Sequence, residues 1–259
     1  MRTFTLALVA ALLLPLASPA NAAITLASSR LVFEHGLKEQ TLIVIHEGSE
    51  PVLLQAWLDG GTTAEGLVQV PFAVTPALVK MPMQHQQTLR VFYQGNGLAE
   101  DRESVVWLNV QEAPLAREDS NELQIAMRQR IKVFYRPKGL DGDPFAATAA
   151  LQWTLSEDGR RLHLHNPSNY HVSMLRLAVE AAEPEEIVDR LMIGPQQEHS
   201  FELAGVLGKG AAVTLRSIND FGGQDDYRVT LNTGLAAQAE KVTSAPVAQK
   251  AAAQAPMEK

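Results

Sequence analysis

The stretch that decides the fold runs from Leu123 to Pro137 and reads LQIAMRQRIKVFYRP. From Leu123 to Tyr135, six of the seven odd-numbered positions are apolar or aromatic, and four of the six even-numbered positions are polar or charged. Successive side chains of a β-strand point to opposite faces, so this alternation predicts one long strand over the whole run. Common strands have about 5–6 residues, and a longer one can extend past its own sheet and offer an edge. Pro137 cannot donate to a strand ladder and ends the run.

The alternation by itself is also that of an ordinary half-buried strand with its polar face in water. Two features of the run nevertheless suggest a function. Leu123, Ile125 and Met127 follow directly on a very polar segment. Lys132 stands between two apolar residues, where a lysine usually finds a carboxylate or keeps its ammonium group in water.

Around this run the chain reads as many short strands separated by turn signals such as Asp158-Gly159 and Asn166-Pro167-Ser168. The predicted strands are Thr41–His46, Val52–Leu58, Thr88–Tyr93, Val105–Val110, Leu151–Leu155, Arg161–His165, His171–Val179 and Ala212–Ile218. No segment carries a long, capped helical period. The spacing therefore predicts an all-β fold of β-sandwiches rather than βαβ units.

The length of the strand-rich region indicates two domains. From residue 23 to about residue 233 it has about 210 residues, which is long for one sandwich and suits two of about 100 residues each. The segment from Arg136 to Pro144, rich in Pro, Gly and Asp, is the predicted boundary. We thus predict an N-terminal domain over 23–140 and a C-terminal domain over 141–233. Residues 234–259, rich in Ala, Gln and Lys, are predicted to be a disordered tail.

Residues 1–22 have the pattern of a secretory signal peptide. Arg2 supplies the positive start, Leu6–Leu16 the apolar run, and Ala20-Asn21-Ala22 the cleavage site. The apolar run is too short, and has the wrong flanks, for a stable membrane span. We therefore predict an exported chain that is cleaved after Ala22 and does not insert into a membrane.

Charge and composition exclude several function classes. Without Arg2 the 22 basic residues become 21 against 29 acidic ones, so the net charge changes from -7 to -8. An acidic exported protein is a poor candidate for binding nucleic acid. The chain has no cysteine, which excludes disulfides, cysteine nucleophiles and thiolate metal sites.

The sequence offers few catalytic candidates. It contains none of the common nucleotide-binding, serine-hydrolase or zinc-protease motifs. His163 and His165 would face the same way on a strand and could bind a metal, but no carboxylate or thiolate stands near them in sequence to complete a site. Solvated strand histidines are therefore the favoured interpretation, and we predict no catalytic residue, metal site or cofactor.

Four motifs together resemble a known family. The run IKVFYRP at 131–137 is similar to the hallmark strand of the periplasmic chaperones of chaperone–usher pili. The segments DRES at 101–104 and INDFGG at 218–223 match two more motifs of that family in the right order, and NPSNY at 166–170 resembles its Asn-Pro turn. The match covers the mature chain to about Leu231. Each motif alone would be weak, but the combination is specific.

The resemblance implies a periplasmic, non-enzymatic assembly chaperone with two immunoglobulin-like sandwiches at an angle and a cleft between them. Such a chaperone lends its long strand to a pilin subunit that lacks its last strand, and delivers the subunit to an outer-membrane usher. The lent strand would be 123–135, with Leu123, Ile125 and Met127 filling pockets in the groove of the subunit. The same apolar edge offers a surface for self-association of the free chaperone.

The resemblance also assigns roles to charged residues. The family anchors the C-terminal carboxylate of the subunit on a basic pair, and the matching positions are Arg30 and Lys132. A carboxylate between them would gain charge-assisted hydrogen bonds, and a fixed chain end fixes the register of strand pairing. Glu103, Arg136 and Asp220 match the family's ionic network between the two domains.

Alternatives remain open at this point. The short polar link between Val110 and Leu123 and the lack of cysteine resemble the short-loop branch of the family, with an archaic branch as the other possibility. A secreted two-domain adhesive or glycan-binding protein would need an aromatic platform, which three tryptophans spread along the chain do not supply. A metal-dependent enzyme using His163 and His165 is the third hypothesis.

Overall fold

The computed structural model describes residues 24–61, 70–115, 124–180 and 185–242. The predicted signal peptide, Leu123 and residues 243–259 of the predicted tail lie outside the described residues. Within them, helix is confined to the short α1 (Ala147–Ala150), and the remaining regular structure is β-strand. The predicted all-β class is confirmed. No helix in the described part of the chain is long and apolar enough to cross a membrane.

The strands, in chain order, are β1 (Ile24–Leu26), β2 (Arg30–Phe33), β3 (Glu39–His46), β4 (Val52–Asp59), β5 (Phe72–Thr75), β6 (Leu78–Met81), β7 (Gln86–Tyr93), β8 (Ser104–Pro114), β9 (Met127–Tyr135), β10 (Gln152–Leu155), β11 (Arg161–His165), β12 (Val172–Val179), β13 (Glu185–Ile193), β14 (Glu198–Glu202), β15 (Ala212–Ile218), β16 (Gln224–Thr230), β17 (Ala237–Gln238) and β18 (Glu240–Lys241). Each of the predicted short strands is confirmed by one of these. Alternate residues are buried in several of them, as in β3 and β15.

The described residues form two compact units. The first takes in the residues before Arg30, Glu39–Gly95 and Trp107–Ile131, and the second takes in Arg30–Lys38, Asn96–Val106 and the chain from Lys132 onwards. Strands β8 and β9 therefore contribute residues to both units. The predicted domain boundary near residue 140 and the predicted angle between the domains stay predictions.

The first unit holds the antiparallel sheet β1-β3-β7-β5 and most of a second sheet, ordered β2-β9-β8-β4-β6. Its core is made by alternating apolar side chains of the central strands of the two sheets: Leu42, Val44, Leu89 and Val91, with Leu54, Ala56, Leu108 and Val110. Burying both inner faces is what stabilises a sandwich of two sheets.

The second unit holds the sheets β14-β11-β10-β17 and β13-β12-β15-β16-β18. One apolar cluster draws on both sheets, with Trp153 and Leu164 from the first and Leu177, Leu215 and Val229 from the second. A shared core between two sheets makes this unit a β-sandwich as well.

The predicted Asp158-Gly159 turn joins β10 to β11 and requires its glycine. Gly159 has φ +68°, and a Cβ added there would lie 2.3 Å from the carbonyl oxygen of Leu207. No other residue fits that backbone without displacing Leu207.

The long strand is shorter than predicted. β9 begins at Met127, and residues 124–126 pair with no strand in the described part of the chain. The prediction of a strand from Leu123 is therefore wrong for these three residues. The alternation of apolar and polar residues indicates which face of a strand each side chain would occupy. A strand, however, also requires a neighbouring strand to which its backbone can form hydrogen bonds. At its other end, β9 pairs in parallel with β2, with Arg30 opposite Lys132.

The prediction of a disordered tail is wrong for residues 234–242. β17 pairs with β10, with Gln238 opposite Gln152, and β18 pairs with β16, with Lys241 opposite Tyr227. A composition rich in Ala, Gln and Lys indicates that the segment cannot form a hydrophobic core of its own. Here the segment instead extends the edges of two sheets that already exist.

Candidate functional site

Two basic side chains stand side by side in the second unit. Arg30 begins β2, and Lys132 is its Cα partner in the parallel ladder with β9. Arg30 is only 6% exposed and donates a hydrogen bond from Nη1 to the carbonyl oxygen of Ile218 at 3.0 Å. Lys132 Nζ donates to Ser173 Oγ at 2.9 Å. The parallel pairing thus brings together the two residues that were predicted from resemblance as a carboxylate anchor.

Burial makes this pair costly when both groups are charged. Desolvation, helped by the nearby charge of Arg30, lowers the pKa of Lys132 to about 8. Desolvation also lowers the pKa of Arg30, against the opposing influence of Asp220 and Glu103. The Arg30 guanidinium lies 5.6 Å from the centroid of the Phe134 ring. Two partly desolvated cations that repel each other form a site at which a bound anion would be strongly favoured.

The three predicted network residues are also brought together, around a buried arginine. Arg136 donates from Nε to Glu103 Oε1 at 2.8 Å, and from Nη1 and Nη2 to the two Asp220 oxygens at 2.7 and 2.9 Å. Burial alone lowers the pKa of Arg136, but the hydrogen bonds and charges of Asp220 and Glu103 outweigh it and raise that pKa. All three residues belong to the second unit, so their predicted role between two domains stays a prediction.

Two further residues of this network were missed by sequence reasoning. Glu34 Oε1 accepts a 2.8 Å hydrogen bond from Arg136 Nη1. The His171 backbone N–H donates to Glu103 Oε2 at 2.7 Å, and His171 Nδ1 lies 2.9 Å from the same oxygen. Glu34 closely follows β2 and His171 directly follows the Asn-Pro motif, so both could have been sought beside the recognised segments.

The Asn-Pro turn positions His171. The buried Asn166 side chain donates to the carbonyl oxygens of Tyr170 and Gly194 at 2.8 and 2.9 Å. Its Oδ1 accepts from the Ser168 backbone N–H and hydroxyl at 3.1 and 2.7 Å. An amide that satisfies four neighbouring groups fixes the backbone that leads to His171 and so aims it at Glu103.

The apolar residues before and at the start of β9 are exposed. Ile125 is 64% exposed and Met127 is 47% exposed, while Leu123 lies outside the described residues. Large apolar side chains exposed close together in sequence typically mark a surface that another molecule covers.

The histidines that could have bound a metal have other neighbours. His163 Nδ1 lies 2.8 Å from Ser200 Oγ, and His165 Nδ1 lies 3.2 Å from Gln152 Oε1. No cluster of three or more potential ligands that could hold a metal occurs among the described residues.

We predict that Lys132→Met raises the stability of the free protein at pH 7 by about 1 kcal/mol, because an apolar chain replaces a partly buried charge. The folded-state pKa of about 8 is below the ordinary 10.5, so the unfolded chain binds more protons between these values. Stability of the wild type should therefore rise as the pH increases from about 8 to about 10.5.

Urea unfolding at pH 7, 8, 9 and 10 measures the gain in stability from Lys132→Met and the pH dependence of the wild type. Lys80→Met is the control, because Lys80 is an exposed lysine of strand β6. A wild-type pH dependence that Lys132→Met retains would contradict this assignment.

The fold and the site define an all-β, two-sandwich protein with a basic pair, of which Arg30 is buried and Lys132 half-buried, and with an exposed apolar segment. Two family models match the chain: the pili and flagellar-assembly chaperone PapD N-terminal domain over residues 23–141, and the pili assembly chaperone PapD C-terminal domain over residues 146–229. The chain belongs to this family of pilus assembly chaperones, which is a periplasmic family.

Individual relatives agree with the family models. The chain is 38% identical to chaperone protein FimB/FhaD of Bordetella pertussis, over 87% of this chain and 95% of that protein. It is 37% identical to the probable fimbrial chaperone YadV of Escherichia coli, over 80% of this chain and 89% of that protein. A crystal structure of the YadV chaperone matches with a TM-score of 0.69 at 35% identity, covering 81% of this chain and all of that one.

Proposed function

We propose that this chain captures pilin subunits by lending them the edge of β9, and that Arg30 and Lys132 bind the C-terminal carboxylate of the subunit. Its function is that of a periplasmic chaperone for pilin subunits, and delivery to an outer-membrane usher is standard for its family. The observation that carries the proposed mechanism is the register of Arg30 opposite Lys132 on two parallel strands.

The chemistry of the basic pair supports a carboxylate as the ligand. An anion placed between Arg30 and Lys132 offsets their repulsion and raises the pKa of Lys132 above about 8, so that its side chain stays an ammonium group to higher pH. Arginine and lysine both form short, strong hydrogen bonds to carboxylates. Affinity for the subunit should accordingly fall as the pH rises above about 8.

Exposed apolar residues support the strand-lending half of the proposal. Met127 and Lys132 are separated by about 17 Å along the strand, at about 3.3 Å per residue. A chain end held at Lys132 would therefore set which residues of the subunit lie against Met127, Ile125 and Leu123. A one-residue slip would present the wrong face to the groove.

Residues 1–22 act as a cleaved signal peptide that delivers the chain to the periplasm. We propose that the chaperone is non-enzymatic and works without a cofactor, because pairing of the subunit with the lent strand supplies the binding free energy. Self-association of the free chaperone through the apolar segment before β9 stays a prediction.

The test is Ile125→Asp, which should weaken binding of the subunit at least about tenfold, because a carboxylate enters an apolar pocket. The probe is the subunit that co-purifies with the wild-type chain from the periplasm of cells making pili, refolded and titrated calorimetrically. Met83→Asp is the matched control, since Met83 is an exposed methionine in a turn outside β9. Equal affinities of the wild-type and Ile125→Asp chains would overturn the lent-strand assignment.

A further inference from the structure

Two phenylalanines form an exposed aromatic pair in the second unit. Phe221 is 87% exposed and Phe145 is 53% exposed. Their ring centroids are 5.8 Å apart with an interplanar angle of 24°, so the rings are stacked. A stacked pair of aromatic rings left in water is a candidate docking surface, because covering it removes a large apolar area from solvent.

The turn that carries Phe221 is held in place by hydrogen bonds. Asn219 Oδ1 accepts from the backbone N–H groups of Phe221 and Gly223 at 3.1 and 3.0 Å. The neighbouring Asp220 carboxylate is bound by both terminal nitrogens of Arg136. Phe221 is therefore presented to solvent by a fixed turn, which lowers the entropic cost of docking against it.

One ring of the aromatic pair adjoins Arg30. Phe145 lines the same cavity as Arg30, together with Ser217, Asn219 and Lys241. The lining also holds Glu103, Asp220 and Asp225, but these carboxylates form ion pairs with Arg136 and Lys241. Arg30 therefore gives the cavity a cation and Phe145 an aromatic rim, which suits a ligand that carries a carboxylate and an apolar group a short distance away. A polypeptide C-terminus with an apolar side chain close to its end has that chemistry.

We propose that Phe145 and Phe221 dock an apolar side chain that lies within a few residues of the C-terminal carboxylate of the client subunit. The inference rests on the proposed function, because Arg30 must hold that carboxylate for the aromatic rim to be in reach. It adds a contact outside the lent strand, and it makes the chaperone selective for the residues next to the chain end.

The test uses the full mature chain and two synthetic twelve-residue peptides with free C-terminal carboxylates. One peptide has leucine, and the other serine, at the positions just before the C-terminal residue. The two peptides are otherwise identical in sequence. Fluorescence anisotropy gives the affinity for the wild type, Phe145→Ser, Phe221→Ser and Arg30→Ala. Val206→Ser is the matched control, because Val206 is an exposed apolar residue of the same unit.

We expect Phe221→Ser and Phe145→Ser to weaken binding of the leucine peptide about tenfold and to leave the serine peptide unchanged. Val206→Ser should match the wild type for both peptides, and thermal melts of all three serine variants should coincide with that of the wild type.

Equal binding of the leucine peptide by the wild type and both phenylalanine variants would overturn the inference while leaving the proposed function intact. Failure of the wild type to bind either peptide, or undiminished binding by Arg30→Ala, would instead contradict the proposed function. A wild-type dimer that Phe221→Ser converts to a monomer without loss of peptide affinity would assign the surface to a second copy of the chain, against the inference.

Discussion

Arg30→Ala should abolish capture of pilin subunits, with a loss of about a hundredfold or more in affinity. Arg30 is the buried member of the basic pair and belongs to the wall of the cavity beside it. Truncating one partner of a buried, hydrogen-bonded charge pair typically costs about 2–5 kcal/mol, because the other charge is left desolvated. In the proposed complex that other charge is the client carboxylate. Lys132→Ala should act in the same direction.

The fold should survive this change. Arg30→Ala removes the hydrogen bond to Ile218, but it also removes a desolvated cation from the side of Lys132. We expect the two effects to offset each other and the midpoint of thermal unfolding to change by no more than a few degrees. Arg216→Ala is the control, since Arg216 is an exposed arginine paired with Asp226. Titration of purified subunit into each variant measures the loss, and wild-type affinity in Arg30→Ala would refute the clamp.

Arg136→Ala should destabilise the protein by about 3–5 kcal/mol, the typical cost of removing one partner from a buried ion pair. The Glu103 side chain is only 1% exposed, so without Arg136 its charge would remain buried. Glu34 and Asp220 would lose the same cation. Unlike the loss of Arg30, this change should lower stability whether or not a client is present.

Two variants separate this effect from the loss of an ordinary surface charge. Arg161→Ala breaks the exposed pair with Glu202 and should change the free energy of unfolding by less than about 1 kcal/mol. Adding Glu103→Gln to Arg136→Ala should recover part of the stability, because the buried charge is removed. Coincident urea unfolding curves for the wild type and Arg136→Ala would contradict the energetic role of the network.

Much of the fold could be predicted because short runs rich in apolar residues and bounded by turn residues are typical of sandwich strands. All eight strands predicted in this way bury apolar residues: β3, β4, β7, β8, β10, β11, β12 and β15. β5 and β6 were missed because they contribute little to the core: among their residues only Met81 is buried. β17 and β18 were missed because their stability comes from the sheets they extend and not from their own composition.

The site was harder to predict from residue patterns. Nothing in the period of either segment shows that β2 pairs with β9 in parallel, or that Arg30 lies opposite Lys132. That pair was named through resemblance to a family, and the structure shows that the two residues lie opposite each other on parallel strands. The contact of Glu103 with His171 joins residues far apart in sequence, so no local pattern could indicate it. The aromatic pair of Phe145 and Phe221 is likewise formed by two separate turns.

The central claim is that Arg30 and the C-terminal carboxylate of the client bind each other. A double-mutant cycle tests it most directly, with wild-type and Arg30→Ala chains titrated calorimetrically with one pilin subunit, made once with a free C-terminal carboxylate and once with a C-terminal amide. The account predicts that either change alone weakens binding about a hundredfold, and that both together weaken it little further. Two results would contradict the claim. One is that the losses of binding free energy from the two changes simply add, and the other is that the wild type binds the amide-ended subunit as tightly as the subunit with a free carboxylate.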